Sequence, residues 1–144
     1  MKRQPRGDKP AWDVVLAHRP AAGRGDIRDR FLENGITPDR VMDVLADAGD
    51  GLYAAATSGE KGWSDRFGGP LAVALLAAEV SALTAHLTSR GSAVRALAVD
   101  ALLDDFSAIT VAARLGVSRQ KVYDISRGNT TTRFIDRAPW RPQP

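Results

Sequence analysis

Apolar residues recur at helical spacing through most of this chain, and the polar residues between them mark where the helices start and stop. Asp26 to Asn34 is the first clear case, with Ile27 and Phe31 at i and i+4 and Asn34-Gly35 as a stop. Thr37-Pro38 then gives a helix start, Thr as N-cap and Pro at the first helical position. Val41, Val44 and Leu45 form the stripe of that helix, which is expected to end near Gly49. Pro70 opens the longest pattern, predicted to run to about Arg90 with Gly91 past its end. It shows two apolar seams, Leu71/Leu75/Ala78/Ala82 and Leu76/Val80/Leu83/Leu87, which suits a central helix or one shared between core and subunit interface. Ser92 is expected to cap a further helix to about Phe106, with Val94, Leu97, Ala98, Ala101 and Leu102 on its inner side. Trp12 to Leu16 reads either as a short strand or as the start of a helix. Residues 50–69 are interrupted by Gly51, Gly59, Gly62, Gly68 and Gly69, although Leu52 to Ala56 supports a helical turn.

The stretch from Ser107 to Gly128, SAITVAARLGVSRQKVYDISRG, carries the most specific pattern. Ser107 is a good N-cap for a short helix whose buried stripe is Val111 and Leu115. Ala112 is small where a second helix must approach, and Gly116 supplies a tight turn at positive φ. Val117 fills the corner, Ser118 caps the second helix, and Val122 and Ile125 at i and i+3 point back at the first. This is the form of a helix-turn-helix. With Val122 and Ile125 inward, 100° per residue turns Gln120, Tyr123, Asp124 and Arg127 outward, with Arg119 and Lys121 flanking and Ser118 at the lip. In such a motif the start of the second helix enters the major groove. There Arg can pair with guanine, Gln with adenine, and Asp can accept from cytosine N4. Ser118, Arg119, Gln120, Lys121, Tyr123, Asp124 and Arg127 are therefore the candidate DNA-binding residues. The competing reading is a helical corner of a larger core, where small residues and Gly recur for packing.

Arg114 to Ile125, RLGVSRQKVYDI, resembles helix-turn-helix segments of bacterial repressors and of the C-terminal domains of site-specific invertases and resolvases. The continuation ISRGN is similar to the end of the recognition helix in phage-repressor-type domains. The resemblance covers about twenty residues. It implies a docking mode for the candidate residues and does not reach the rest of either family: no segment resembles the catalytic serine domain of resolvases.

Charge divides in the same sense. Residues 1–20 hold five Lys/Arg against two Asp/Glu, residues 21–113 eight against thirteen, and residues 114–144 seven against two. Basic residues thus collect at the two ends, as expected if those parts approach phosphates. The 44% hydrophobic content of the 144 residues, rich in Ala, favours closely packed helices over a sheet. No Cys is present, which excludes disulfides and thiolate metal sites. MKRQPRGDKP lacks the apolar run of a signal peptide, and Leu71 to Leu87 carries Glu79 and His86, so the expected location is the cytoplasm, at the nucleoid.

Other features carry less weight. Arg24-Gly25-Asp26 spells an integrin tripeptide by common residues. Asp43, Asp47 and Asp50 lack the rest of a calcium loop and suit a solvated helix face and cap. His18 and His86 lie in separate segments without metal spacing, and no phosphate loop occurs. No catalytic constellation, metal site or cofactor is expected. The expected architecture is all-α: a multi-helix bundle with a C-terminal helix-turn-helix. A flexible basic arm spans 1–20, a helical core and dimerisation region 21–91, the DNA-binding region 92–128, and a basic tail, or a short strand, 129–144. The expected function is sequence-specific binding of double-stranded DNA by a bacterial homodimer regulating transcription. The alternatives are a module docking on polymerase or a sigma factor, and an accessory factor of recombination, plasmid maintenance or phage packaging.

Overall fold

The computed structural model describes residues 8–128. They form seven α-helices and no strand: α1 Asp8–Val15, α2 Arg24–Glu33, α3 Pro38–Ala46, α4 Asp50–Ala56, α5 Pro70–Asp105, α6 Ala108–Leu115 and α7 Arg119–Arg127. The protein is all-α among the described residues. Its contacts divide it into two units, the first reaching Thr84 and the second beginning at Ala85. The helix α5 contributes to both.

The first unit is built on aromatic and branched side chains from the short helices. Trp12, Val15 and Leu16 are buried, and the Trp12 ring stacks on Phe31 with centroids 5.7 Å apart. The arm expected over 1–20 is therefore helical from Asp8 to Val15, and of Trp12 to Leu16 all but Leu16, which stands in the following turn, is helix and not strand. Three large apolar groups at helical spacing find a core, which outweighs the basic composition around them. Residues 1–7 lie outside the described residues. Thr37 caps α3 as expected, its hydroxyl accepting from the Arg40 N–H at 3.2 Å. Gly49 turns the chain into α4 at φ +81, where a Cβ would meet the Val80 methyls at 3.3–3.4 Å. Residues 50–69 hold α4 and a single 3₁₀ turn, Asp65–Phe67, that buries Phe67 beneath Arg66.

Ala72, Leu76, Glu79 and Leu83 are the residues of α5 buried in this unit. Leu71, by contrast, is 62% exposed. Of the two seams of Pro70–Arg90, the one through Leu76 and Leu83 is covered by the unit's own core. Glu79 is buried as an anion: His18 Nε2 donates to Oε1 at 2.6 Å, and Arg19 donates to both oxygens at 2.9 Å. Burial alone would raise its pKa, but these bonds and the charges behind them outweigh it and hold the carboxyl below the usual range.

The helix does not stop at Gly91. It continues as one element to Asp105, so the helix expected to start at Ser92 is the second part of α5. An 18-residue stretch of α5 has mean hydropathy 1.6, so by length and composition this helix could cross a membrane. In the second unit the inner side of α5 also differs from expectation. Ala93, Ala96 and Val99 are buried, whereas Val94, Leu97 and Leu102 are exposed. Small residues allow α5 and its neighbours to approach closely, and that geometry selects the Ala-lined side over the bulkier one. The tail expected over 129–144 lies outside the described residues.

Candidate functional site

The last two helices of the second unit are defined by their caps. The Ser107 hydroxyl accepts from the Thr110 N–H at 3.2 Å, opening α6. Gly116 ends it at φ +70, ψ +34, a left-handed conformation that costs an L side chain free energy. Ser118 opens α7, accepting from the Lys121 N–H at 3.0 Å. Two short helices thus start and stop where local chemistry satisfies backbone groups that helix ends leave unpaired.

Their packing follows the expected pattern with one correction. Val111, Ala112, Val122 and Ile125 are buried together with Ala96 and Val99, and Val117 packs partly buried against them. Leu115, expected in the stripe, is 43% exposed: it is the last residue of α6, where the chain turns away at Gly116. Ser126 donates from its hydroxyl to Asp100, tying α7 to α5 within this unit.

What α7 leaves outside is polar. Ser118, Arg119, Gln120, Lys121, Tyr123, Asp124 and Arg127 are all exposed, so the seven candidate residues share the uncovered surface of one helix and its cap. Three of them interact. Gln120 Nε2 donates to Asp124 Oδ1 at 3.1 Å, and Arg127 makes an ion pair with the same oxygen. The bonds from Gln120 and then Arg127 hold the Asp124 carboxyl below its ordinary pKa. Beside this surface is an open depression of about 120 Å³ lined by Ser92, Arg95, Lys121, Asp124, Ile125 and Gly128. It adds Arg95 of α5 to the neighbourhood of Lys121. Sequence reasoning did not single out Arg95, because its place depends on which side of α5 faces α7.

Compared with protein-family models, curated proteins and solved structures, the chain matches none. The site is therefore read from its own residues. Its surface offers one anion, Asp124, against Arg95, Arg119, Lys121 and Arg127, with Gln120, Tyr123 and Ser118 as uncharged hydrogen-bonding groups. Such a set suits an extended anionic partner with polar edges.

The remaining motif candidates fall elsewhere. Asp47 accepts from the Gly49 and Gly51 N–H groups at 2.9 and 3.1 Å, so both its oxygens serve the turn into α4. Among the described residues no group of three His, Asp or Glu could hold a metal ion. His18 belongs to the Glu79 cluster, in which Arg19 and Glu79 were not foreseen as partners.

Proposed function

We propose that α6, the turn at Gly116 and α7 form a helix-turn-helix that binds duplex DNA, with α7 in the major groove, and that the protein is a non-enzymatic transcriptional regulator. One observation carries this reading. The left-handed turn and the caps at Ser107 and Ser118 bury Val111, Ala112, Val122 and Ile125, leaving a helix whose uncovered side holds only polar groups and a Tyr. A helix held in this way by its neighbours can enter a groove about 12 Å wide. Ser118 and Arg119 at its start suit phosphate and guanine, Gln120 suits adenine, and Lys121 with Arg95 suits the backbone. Tyr123, 43% exposed, offers an aromatic edge to a thymine methyl or a hydroxyl to phosphate.

A cytoplasmic location goes with this reading. The apolar first part of α5 encloses the ionised Glu79, paired with Arg19 and His18, an arrangement suited to a protein core.

The test is binding of bulk duplex DNA at two salt concentrations, followed by selection of bound genomic fragments. DNA binding should lose affinity linearly in log salt, and each phosphate-contacting cation removed, Arg95→Ala or Lys121→Ala, should lower the slope by about one. On the selected site Gln120→Ala should cost about 1–3 kcal/mol and relax one or two base pairs. An equal loss on random DNA would make Gln120 a backbone contact. Salt-insensitive capture of a protein, with no DNA retention, would replace this reading by a protein-docking module.

A further inference from the structure

The second unit's part of α5 buries Ala93, Ala96 and Val99, with Leu103 half-buried against the same cluster. At 100° per residue the other side of this stretch presents Leu87, Val94, Leu97, Ala98, Ala101 and Leu102. It is uncovered: Val94 is 53% and Leu97 45% exposed. Leu87, Val94 and Ala101 stand seven residues apart with Leu97 and Ala98 between the last two, the spacing on which helices pair along a seam.

Charge is divided along this face. Arg90 lies seven residues before Leu97, and Asp104 and Asp105 lie seven and eight after it. Arg90 is half-buried, and Asp104 and Asp105, both exposed, form no ion pair among the described residues. Opposite charges thus stand at the two ends of the face, a cation before Leu97 and two carboxylates after it.

We propose that this face binds a second copy of the chain, the two α5 segments lying antiparallel about a two-fold axis near Leu97 and Ala98. In that arrangement Arg90 of each copy meets Asp104 and Asp105 of the other, and Val94 meets Ala101 and Leu102. A two-fold interface must be self-complementary, and the opposed charges satisfy that only when the helices run in opposite directions. A parallel pair sets Arg90 against Arg90 and Asp104 against Asp104. An anionic lipid surface accepts the apolar row and repels the acidic end. The pairing is separate from the α7 surface and does not rest on the DNA reading.

Sedimentation of the full chain over about 1–100 µM tests it, the range suited to a small interface. A monomer–dimer equilibrium is expected, weakened at least about tenfold by Leu97→Glu or by Arg90→Glu. The combined variant Arg90→Glu, Asp104→Arg, Asp105→Arg should restore dimerisation, which only the antiparallel arrangement allows. The chain has no Cys, so introduced thiols report geometry even if a Glu variant fails to fold. On oxidation Ala98→Cys should cross-link to itself near the axis. Val94→Cys should not, because its two copies would stand about 10 Å apart along the helices, beyond disulfide reach. A monomer at every concentration with no Ala98→Cys cross-link overturns the proposal, as does Val94→Cys cross-linking as readily as Ala98→Cys. Pelleting of the chain with phosphatidylcholine–phosphatidylglycerol vesicles in place of dimerisation would make lipid the occupant.

Discussion

Gln120 and Asp124 are hydrogen-bonded one turn apart on α7, Nε2 donating to Oδ1 at 3.1 Å, and Arg127 pairs with the same carboxylate from the next turn. An amide and a guanidinium suited to base edges are thus oriented by an anion between them. The anion also weakens the pull of this surface on phosphate. Under the proposed reading Asp124 is a positioning residue: it limits indiscriminate DNA binding and presets Gln120 and Arg127.

Asp124→Asn separates these effects. Removal of the charge should raise affinity for random duplex DNA and steepen its salt slope by about one, because Arg127 is released to phosphate. Discrimination between the selected site and random DNA should fall. Competition binding at two salt concentrations reads both quantities. Unchanged non-specific affinity together with unchanged discrimination would mean that α7 does not face DNA.

Gly116 is held at φ +70, and a Cβ built on it would have nothing within 4 Å. Any cost of substitution there comes from the backbone alone. Gly116→Val should lower stability by about 1–2 kcal/mol, and Gly116→Asn by clearly less, since Asn tolerates the left-handed region. Thermal unfolding of the three proteins gives the order. Equal melting of Gly and Val would mean that the turn relaxes to negative φ in solution.

Glu79 makes stability depend on pH. Its carboxyl titrates below its ordinary value in the folded state, despite the opposing effect of burial, because His18 and Arg19 bind the anion. The unfolded chain therefore takes up this proton first as pH falls. The stabilisation is fully present above the unfolded value of about 4.3 and is lost as pH drops through the folded one. Glu79→Gln removes the charge and leaves Arg19, whose side chain is 29% exposed, to be rehydrated in part. A loss of about 2–3 kcal/mol at neutral pH is expected, discounted for that exposure, with a flatter decline of stability below about pH 5. Denaturant titrations from pH 3 to 7, about the range over which carboxylates titrate, measure both. An unaltered acid limb in the variant would assign acid sensitivity to other carboxylates.

The parts of the fold legible in the sequence are those fixed by neighbours in sequence. Thr37-Pro38, Ser107, Gly116 and Ser118 each set a helix end through a cap or a turn, and those ends stand where the spacing placed them. The exposed set on α7 was legible for the same reason, because Val122 and Ile125 fix the helix's rotation. Long-range choices were not legible. Glu79 finds His18 and Arg19 sixty residues away, and no local pattern announces it. Along α5 the larger side chains Val94, Leu97 and Leu102 outweigh Ala93, Ala96 and Val99 on any apolar scale, yet the smaller set is inside because it allows closer packing. Arg95 reaches the neighbourhood of Lys121 for the same reason.

Gly91 gives the sharpest contrast between pattern and structure. Following Arg90 and preceding a capping Ser92, it reads as a stop, whereas α5 passes through it without a break. Its φ is not in the left-handed region, and an added Cβ would meet nothing within 4 Å beyond the helix's own backbone. A glycine inside a continuous helix leaves the unfolded chain extra freedom and offers no packing in return. Gly91→Ala should therefore stabilise the protein by about 0.5–1 kcal/mol and raise its helix content slightly. A glycine that ends a helix at positive φ gives the opposite sign, a loss of about 1 kcal/mol. The sign of the change in melting temperature, measured at low protein concentration so that self-association does not contribute, distinguishes one helix of 36 residues from two joined at Gly91. Destabilisation on this substitution would mean that α5 is interrupted in solution, which would detach Leu87 and Arg90 from the face proposed to pair antiparallel and count against that pairing.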